Sequence, residues 1–175
     1  NIIFRGKKYE NISIRYDIHN NNIIVLKKLN DKTRAYTLNK SFLESFEIYD
    51  QSTGKLFTFN YNRLKNSLNK EIYYHAYAGE SNYYIFYRKD VNNRVSTYYT
   101  GEYIFAPKLY ADINGIIIEF KTYSEFLKLF GDRKQEIKKF MRREKIKFKK
   151  QTPEDVIPVF SYFDTINRTT PEIND

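Results

Sequence analysis

The chain has 175 residues, 41% of them hydrophobic, and a net charge of +9 from 30 Lys and Arg against 21 Asp and Glu. It contains no cysteine, which excludes disulfides and thiolate metal sites, and no apolar run comes near the roughly 18 residues of a membrane helix. The length suits one compact domain with a real core. Within it we expect an antiparallel β portion over 1–121 and a helical C-terminal portion over 122–175.

Aromatic residues make up 18%, through 17 Tyr and 14 Phe with no Trp. Tyrosine suits pleated, half-wet surfaces, so the bulk of the chain reads as antiparallel strands. Residues 2–5 are apolar, and Gly6-Lys7-Lys8 looks like a turn. Ile12, Ile14, Tyr16 and Ile18 alternate with Ser13, Arg15 and Asp17, the period of a half-buried strand. The cluster His19-Asn20-Asn21-Asn22 turns the chain into a second strand at 23–29, and Asn30-Asp31-Lys32 into a third at 33–38. Further strands are expected at 42–49 and 55–61, around a turn ending in Gly54. Residues 62–68 fit a helical turn or a loop, with Leu64 and Leu68 four apart.

Three aromatic strands are expected over 71–78, 83–88 and 94–105, punctuated by Gly79-Glu80-Ser81-Asn82 and Asp90-Val91-Asn92-Asn93. Residues 109–120 then read as a hairpin on Asn114-Gly115, a pair that tolerates the positive φ of a tight turn. From here the hydrophobic period changes from two to 3.6. Thr122-Tyr123-Ser124-Glu125 and Asp132-Arg133-Lys134-Gln135 each have the form of a capping box. The first helix would bury Phe126, Leu127 and Phe130 and stop at Gly131; the second would bury Ile137, Phe140 and Met141. Residues 145–150 suit a short extended piece. Thr152-Pro153-Glu154-Asp155 opens either a single turn or a helix whose body begins near Pro158 and carries Phe160, Phe163 and Ile166. The remaining residues, 168–175, read as a loose tail. The expected class is α+β: mainly antiparallel β, as a sandwich or barrel-like sheet, with two or three C-terminal helices packed on it.

The positive charge is concentrated. Between Arg133 and Lys150 there are ten basic residues against Glu136 and Glu144, a net +8. Lys138, Lys139, Arg142 and Arg143 fall on the helix face opposite the apolar stripe, toward a C-terminus that favours cations. Such a patch fits an acidic protein or an anionic membrane surface. Nucleic acid is not the expected partner, because Phe140 and Phe148 belong to the apolar side and leave no aromatics interleaved with the cations.

No phosphate-cradling glycine loop, Gly-x-Ser-x-Gly or His-Glu-x-x-His is present. His75 lies mid-strand with Glu71 further along it. That is the pattern of a general base oriented by a carboxylate, but a histidine with no chemical task is the simpler reading. His19, in an Asn-rich turn, is given no role. Glu44 and Glu47 point to opposite faces of a strand and so make no glycosidase pair. A non-catalytic protein with no metal and no cofactor is expected. The pairs Tyr73-Tyr74, Tyr83-Tyr84 and Tyr98-Tyr99 place an aromatic on each face of three strands. From these we take Tyr73, Tyr77, Tyr83, Tyr87, Tyr98 and Tyr103 as candidate partner-binding residues, for a protein surface or a glycan.

Three segments carry a resemblance. They are the helix pair at 123–130 and 132–140 after an Asn-Gly hairpin, the basic Lys145-Ile146-Lys147-Phe148-Lys149, and the closing Ser161-Tyr162-Phe163-Asp164-Thr165-Ile166. Together they resemble the C-terminal half of leader-bearing cell-envelope proteins of Bacteroidota, and residues 6–18 with Ile23-Ile24-Val25-Leu26 are similar to the opening of those proteins. The resemblance implies a periplasmic, outer-membrane-associated setting and brings no catalytic residues. The first residue, Asn1, is not Met, as expected of a chain that follows a removed leader. The expected function is that of an accessory subunit held by a larger envelope protein or outer-membrane complex. Single-stranded nucleic-acid binding through 133–150 and glycan binding through the tyrosine-rich sheet are the alternatives.

Overall fold

A computed structural model of the chain describes residues 1–61, 71–92 and 102–168. The helical turn or loop expected at 62–68 lies outside them, as do Tyr98 and the first part of the strand expected at 94–105. The fold is α+β, with antiparallel strands and three C-terminal helices packed on strands, as the change of hydrophobic period predicts. Its contacts divide into two units: Asn1–Tyr74 with Phe86–Ala106, and His75–Ile85 with Pro107–Asp175.

The first unit begins with β1 (Ile2–Phe4) and β2 (Lys7–Tyr9), joined through Arg5 and Gly6 at φ 52° and 70°. The two positive φ values make a tight hairpin of what the sequence presents only as a turn. β3 (Ile14–Asp17), β4 (Asn22–Leu29) and β5 (Lys32–Thr37) form a three-stranded meander. β6 (Leu43–Asp50), β7 (Lys55–Tyr61) and the first residues of β8 (Ile72–Ala78) extend the β1–β2 pair in the order β8-β7-β6-β1-β2. β10 (Lys89–Asn92) pairs with β11 (Glu102–Phe105), so the Asp90-Val91 stretch expected to be punctuation is a strand. Phe46 and Phe59 stack face to face at 4.7 Å, and Tyr16 meets both edge-on at 5.7 and 5.2 Å. Burial pushes the Tyr16 phenol well above its ordinary range.

The second unit holds the remainder of β8, then β9 (Asn82–Phe86), β12 (Lys108–Ile113) and β13 (Ile116–Phe120), in the order β13-β12-β9-β8. α1 (Tyr123–Lys128) starts on the predicted capping box: Glu125 N–H donates to Thr122 Oγ1 at 3.2 Å, and Glu125 Oε2 accepts from Thr122 N–H at 3.2 Å. The second expected box does not form. Gly131 at φ 47° leads into a 3₁₀ turn over Gly131–Arg133, which puts Asp132 in helical backbone instead of at an extended cap position. α2 (Lys134–Arg143) therefore follows without a side-chain cap. A 3₁₀ turn at Pro153–Val156 precedes α3 (Ile157–Arg168), which resolves the two readings of this segment: Pro153 opens a single turn, and Pro158 sits in the first turn of the helix. Phe126, Phe130, Phe160 and Phe163 form the aromatic centre between the helices, and Tyr83 stacks on Phe160 at 4.7 Å.

Candidate functional site

β12 and β13 form a ribbon whose two ends differ in environment. Asn114 and Gly115 take φ 55° and 78°, so Ile116 N–H turns back toward Ile113 and the register is locked as Ile113↔Ile116, Ala111↔Ile118 and Leu109↔Phe120. Alternation then places Ile116, Ile118 and Phe120 on one face. At the far end that face is core: Leu109, Ala111 and Phe120 are fully buried. Toward the turn it is open, with Ile118 39% and Ile116 62% exposed.

β13 is also the last strand in the order, with no strand on its outer side among the described residues. Since residues 116, 118 and 120 direct their backbone groups at β12, the N–H and C=O of Ile117 and Glu119 face outward. Apolar edges of this kind are templates for a further strand unless charge, proline or a bulge blunts them. Here only Glu119 does so, and it is held by Lys121 at 3.3 Å.

Basic residues flank this edge. Phe148 packs on Phe120 at 6.1 Å and on Phe126 at 5.3 Å, which fastens the segment after α2 beside the end of β13. Lys147 and Lys149, on either side of Phe148, are exposed, as are Lys121 and Tyr123. The edge is therefore apolar along its middle and cationic at its Phe120 end.

No family model, curated protein or solved structure matches the chain. The site rests on its own geometry.

The tyrosine face expected from the sequence is not open. Tyr73, Tyr83 and Tyr87 are buried. Tyr73 packs against Phe86, Tyr87 stacks on Tyr74 at 5.9 Å, and Tyr83 donates its hydroxyl to the Pro153 carbonyl at 3.0 Å. Hydroxyls that find partners inside let tyrosine serve as core, which composition alone does not distinguish from a wet surface. Tyr77 is half-buried, and its hydroxyl donates to Asp164 Oδ2 at 3.0 Å. Tyr98 lies outside the described residues. Tyr103 alone of the six is open to solvent among those described, at 57%.

His75 stacks on Tyr84 at 4.6 Å, and its Nε2 donates to the Asn82 carboxamide oxygen at 3.0 Å. Glu44 accepts from Gly6 N–H and Glu47 from Asn1 Nδ2. Among the described residues no group of three or more His, Asp or Glu is placed to hold a metal ion.

On α2, Lys139, Arg142 and Arg143 are exposed and Lys138 is half-buried. Arg143 is committed to Glu144 at 2.8 Å and to the Phe140 ring at 5.4 Å. Phe140, expected in the buried stripe, is half-buried instead: one side of its ring stacks on Tyr162 at 4.0 Å, and it also carries the Arg143 contact.

What the sequence did not disclose is Ile116 and Ile118 as exposed apolar residues, and Asp164 as a buried carboxylate. The signal available was the hairpin's place as the last strand before the helices, which leaves one side of β13 without a successor.

Proposed function

We propose that the chain is a non-catalytic interaction module of the cell envelope that holds an extended segment of a larger protein along β13. The observation that carries this reading is the outward backbone of Ile117 and Glu119 beside the exposed Ile116 and Ile118. A strand added there gains main-chain hydrogen bonds for affinity, and alternate side chains meet the two isoleucines for specificity. Lys121, Lys147 and Lys149 set the chemistry of the occupant: a segment of alternating apolar residues with acidic residues where it passes Phe120. The envelope setting is supported by the resemblance of the helical segments and of the opening strand.

Selection of a random peptide library on the protein tests the reading. Alternating apolar sequences with acidic residues at one end should be enriched. Their binding should be lost in Ile117→Pro and Glu119→Pro, which remove the outward N–H groups. Peptides that bind those variants as well as the parent, or a library that yields no binder, would refute it.

A further inference from the structure

The first unit has a second candidate site, independent of β13. A recess of about 430 Å³ is lined by residues 16–20, Lys89 and Tyr103. We propose that it binds a pyranose unit of a glycan.

The turn after β3 is built to display its side chains. Asp17 Oδ1 accepts from the N–H of His19 at 3.0 Å and of Asn20 at 3.1 Å, while Oδ2 accepts from Asn20 Nδ2 at 2.7 Å. The carboxylate is spent on these donors and fixes the turn. His19 is then held from two further directions. Its Nδ1 donates a long hydrogen bond to the Lys89 carbonyl at 3.4 Å, and its ring meets Tyr103 edge-on at 4.8 Å. A proton on Nδ1 leaves Nε2 as an acceptor in the neutral ring. Tyr103 keeps an open ring, and Tyr16 is anchored behind by its hydroxyl, which donates to Asn21 Oδ1 at 3.0 Å.

The wall thus combines the exposed Tyr103 ring with the polar residues His19, Asn20 and Lys89 and the aliphatic Ile18. An apolar ligand would leave these polar groups unpaired, and a phosphate would find a single exposed lysine. A pyranose suits both halves: its C–H face lies against an aromatic ring and its hydroxyls donate to and accept from short polar side chains. The volume is that of a small-ligand cleft.

Calorimetric titration of the whole chain with cello-, xylo-, manno-, malto- and chitohexaose tests this. At least one should bind with a Kd below about 1 mM, a weak-site affinity. Tyr103→Ala should weaken that binding by about tenfold or more, as loss of a stacking anchor does, and His19→Ala should weaken it as well. Tyr103→Phe, which keeps the ring, should retain most of it. No binding by any of the five sugars at 5 mM, roughly five times that limit, would overturn the proposal. So would binding that survives unchanged in Tyr103→Ala and His19→Ala.

Discussion

The hydroxyl of Ser81, in the turn between β8 and β9, donates to the buried carboxylate of Asp164 on α3 at 2.6 Å. The same carboxylate accepts from the Ser81 and Glu80 backbone N–H groups at 3.0 and 2.9 Å, and from the Tyr77 hydroxyl. A charge is tolerated inside because four donors surround it. Above it, Arg168 pairs with Glu80 at 2.7 Å in an exposed position where such a pair adds little. Asp164 is therefore the pin that fixes α3 to one hairpin of its own unit.

Asp164→Ala should cost about 3 kcal/mol, because it removes the acceptor and strands buried donors as well as losing the bonds. Ser81→Ala should cost about 1 kcal/mol, since the backbone donors persist. Denaturant midpoints for the two variants check the ratio. Equal effects would mean that the carboxylate is not the centre of the network.

Gly79 tests the same closeness from the other side. A Cβ built there would lie 2.3 Å from Asp164 Oδ2 and 2.6 Å from the Tyr77 hydroxyl oxygen. Gly79→Ala should therefore destabilise by about 2 kcal/mol through overpacking, even though alanine normally favours the folded state by limiting the unfolded chain. A neutral or stabilising result in thermal unfolding would place the Asp164 carboxylate elsewhere.

Acid stability carries a signature of the α1 cap. The backbone N–H groups of Lys121 and Thr122 donate to Glu125 and hold its carboxyl below the usual 4.5. A carboxyl depressed in the folded state contributes stability above its unfolded value and loses it as pH falls through the folded one. Glu125→Gln should flatten the fall in stability below about pH 4.5, measured as midpoint against pH. An unchanged slope would remove the cap as a contributor.

At the alkaline end the sign reverses. Burial, reinforced by the charge of Glu154, holds the Tyr83 phenol well above its ordinary 10.0. An acid raised in the folded state gives stability that is complete below the unfolded value and is lost as pH climbs beyond it. Tyr83→Phe should cost about 1 kcal/mol at neutral pH, from the hydrogen bond to Pro153, and lessen the loss of stability above about pH 10. Parallel alkaline limbs in the two proteins would contradict this account.

The basic segment should bind nucleic acid only as a diffuse cation does. At low salt a single-stranded oligonucleotide should associate weakly, and binding should vanish by about 150 mM salt, because the Phe140 ring in this stretch is already taken by Tyr162 and Arg143 and leaves no platform for a base. Fluorescence anisotropy across a salt series measures it. Tight binding that persists at that salt would make the segment a nucleic-acid site after all.

Several features were legible because they depend on neighbours in sequence. The Asn114-Gly115 hairpin, the Thr122–Glu125 capping box and the buried stripes of the helices follow from backbone sterics and from periods of two and 3.6, which a single chain displays on its face. The strand at β7 and the burial of Phe126, Leu127, Ile137 and Met141 belong to the same class. Asp132 misled because a cap depends on backbone conformation as well as residue type, and Gly131 had already turned the chain into a 3₁₀ turn.

Tertiary structure alone decided which tyrosines face water. A strand tyrosine is compatible with either face, and the choice was made by partners far away in sequence: Pro153 and Phe160 for Tyr83, Asp164 for Tyr77. The same holds for His19, whose ring is set by Lys89 and Tyr103, and for β13, which the strand order leaves without a neighbour on one side among the described residues. Local sequence specifies how each piece folds. Burial is a property of the pieces that meet, and contacts between residues 70 or 80 positions apart leave no periodic trace in the chain.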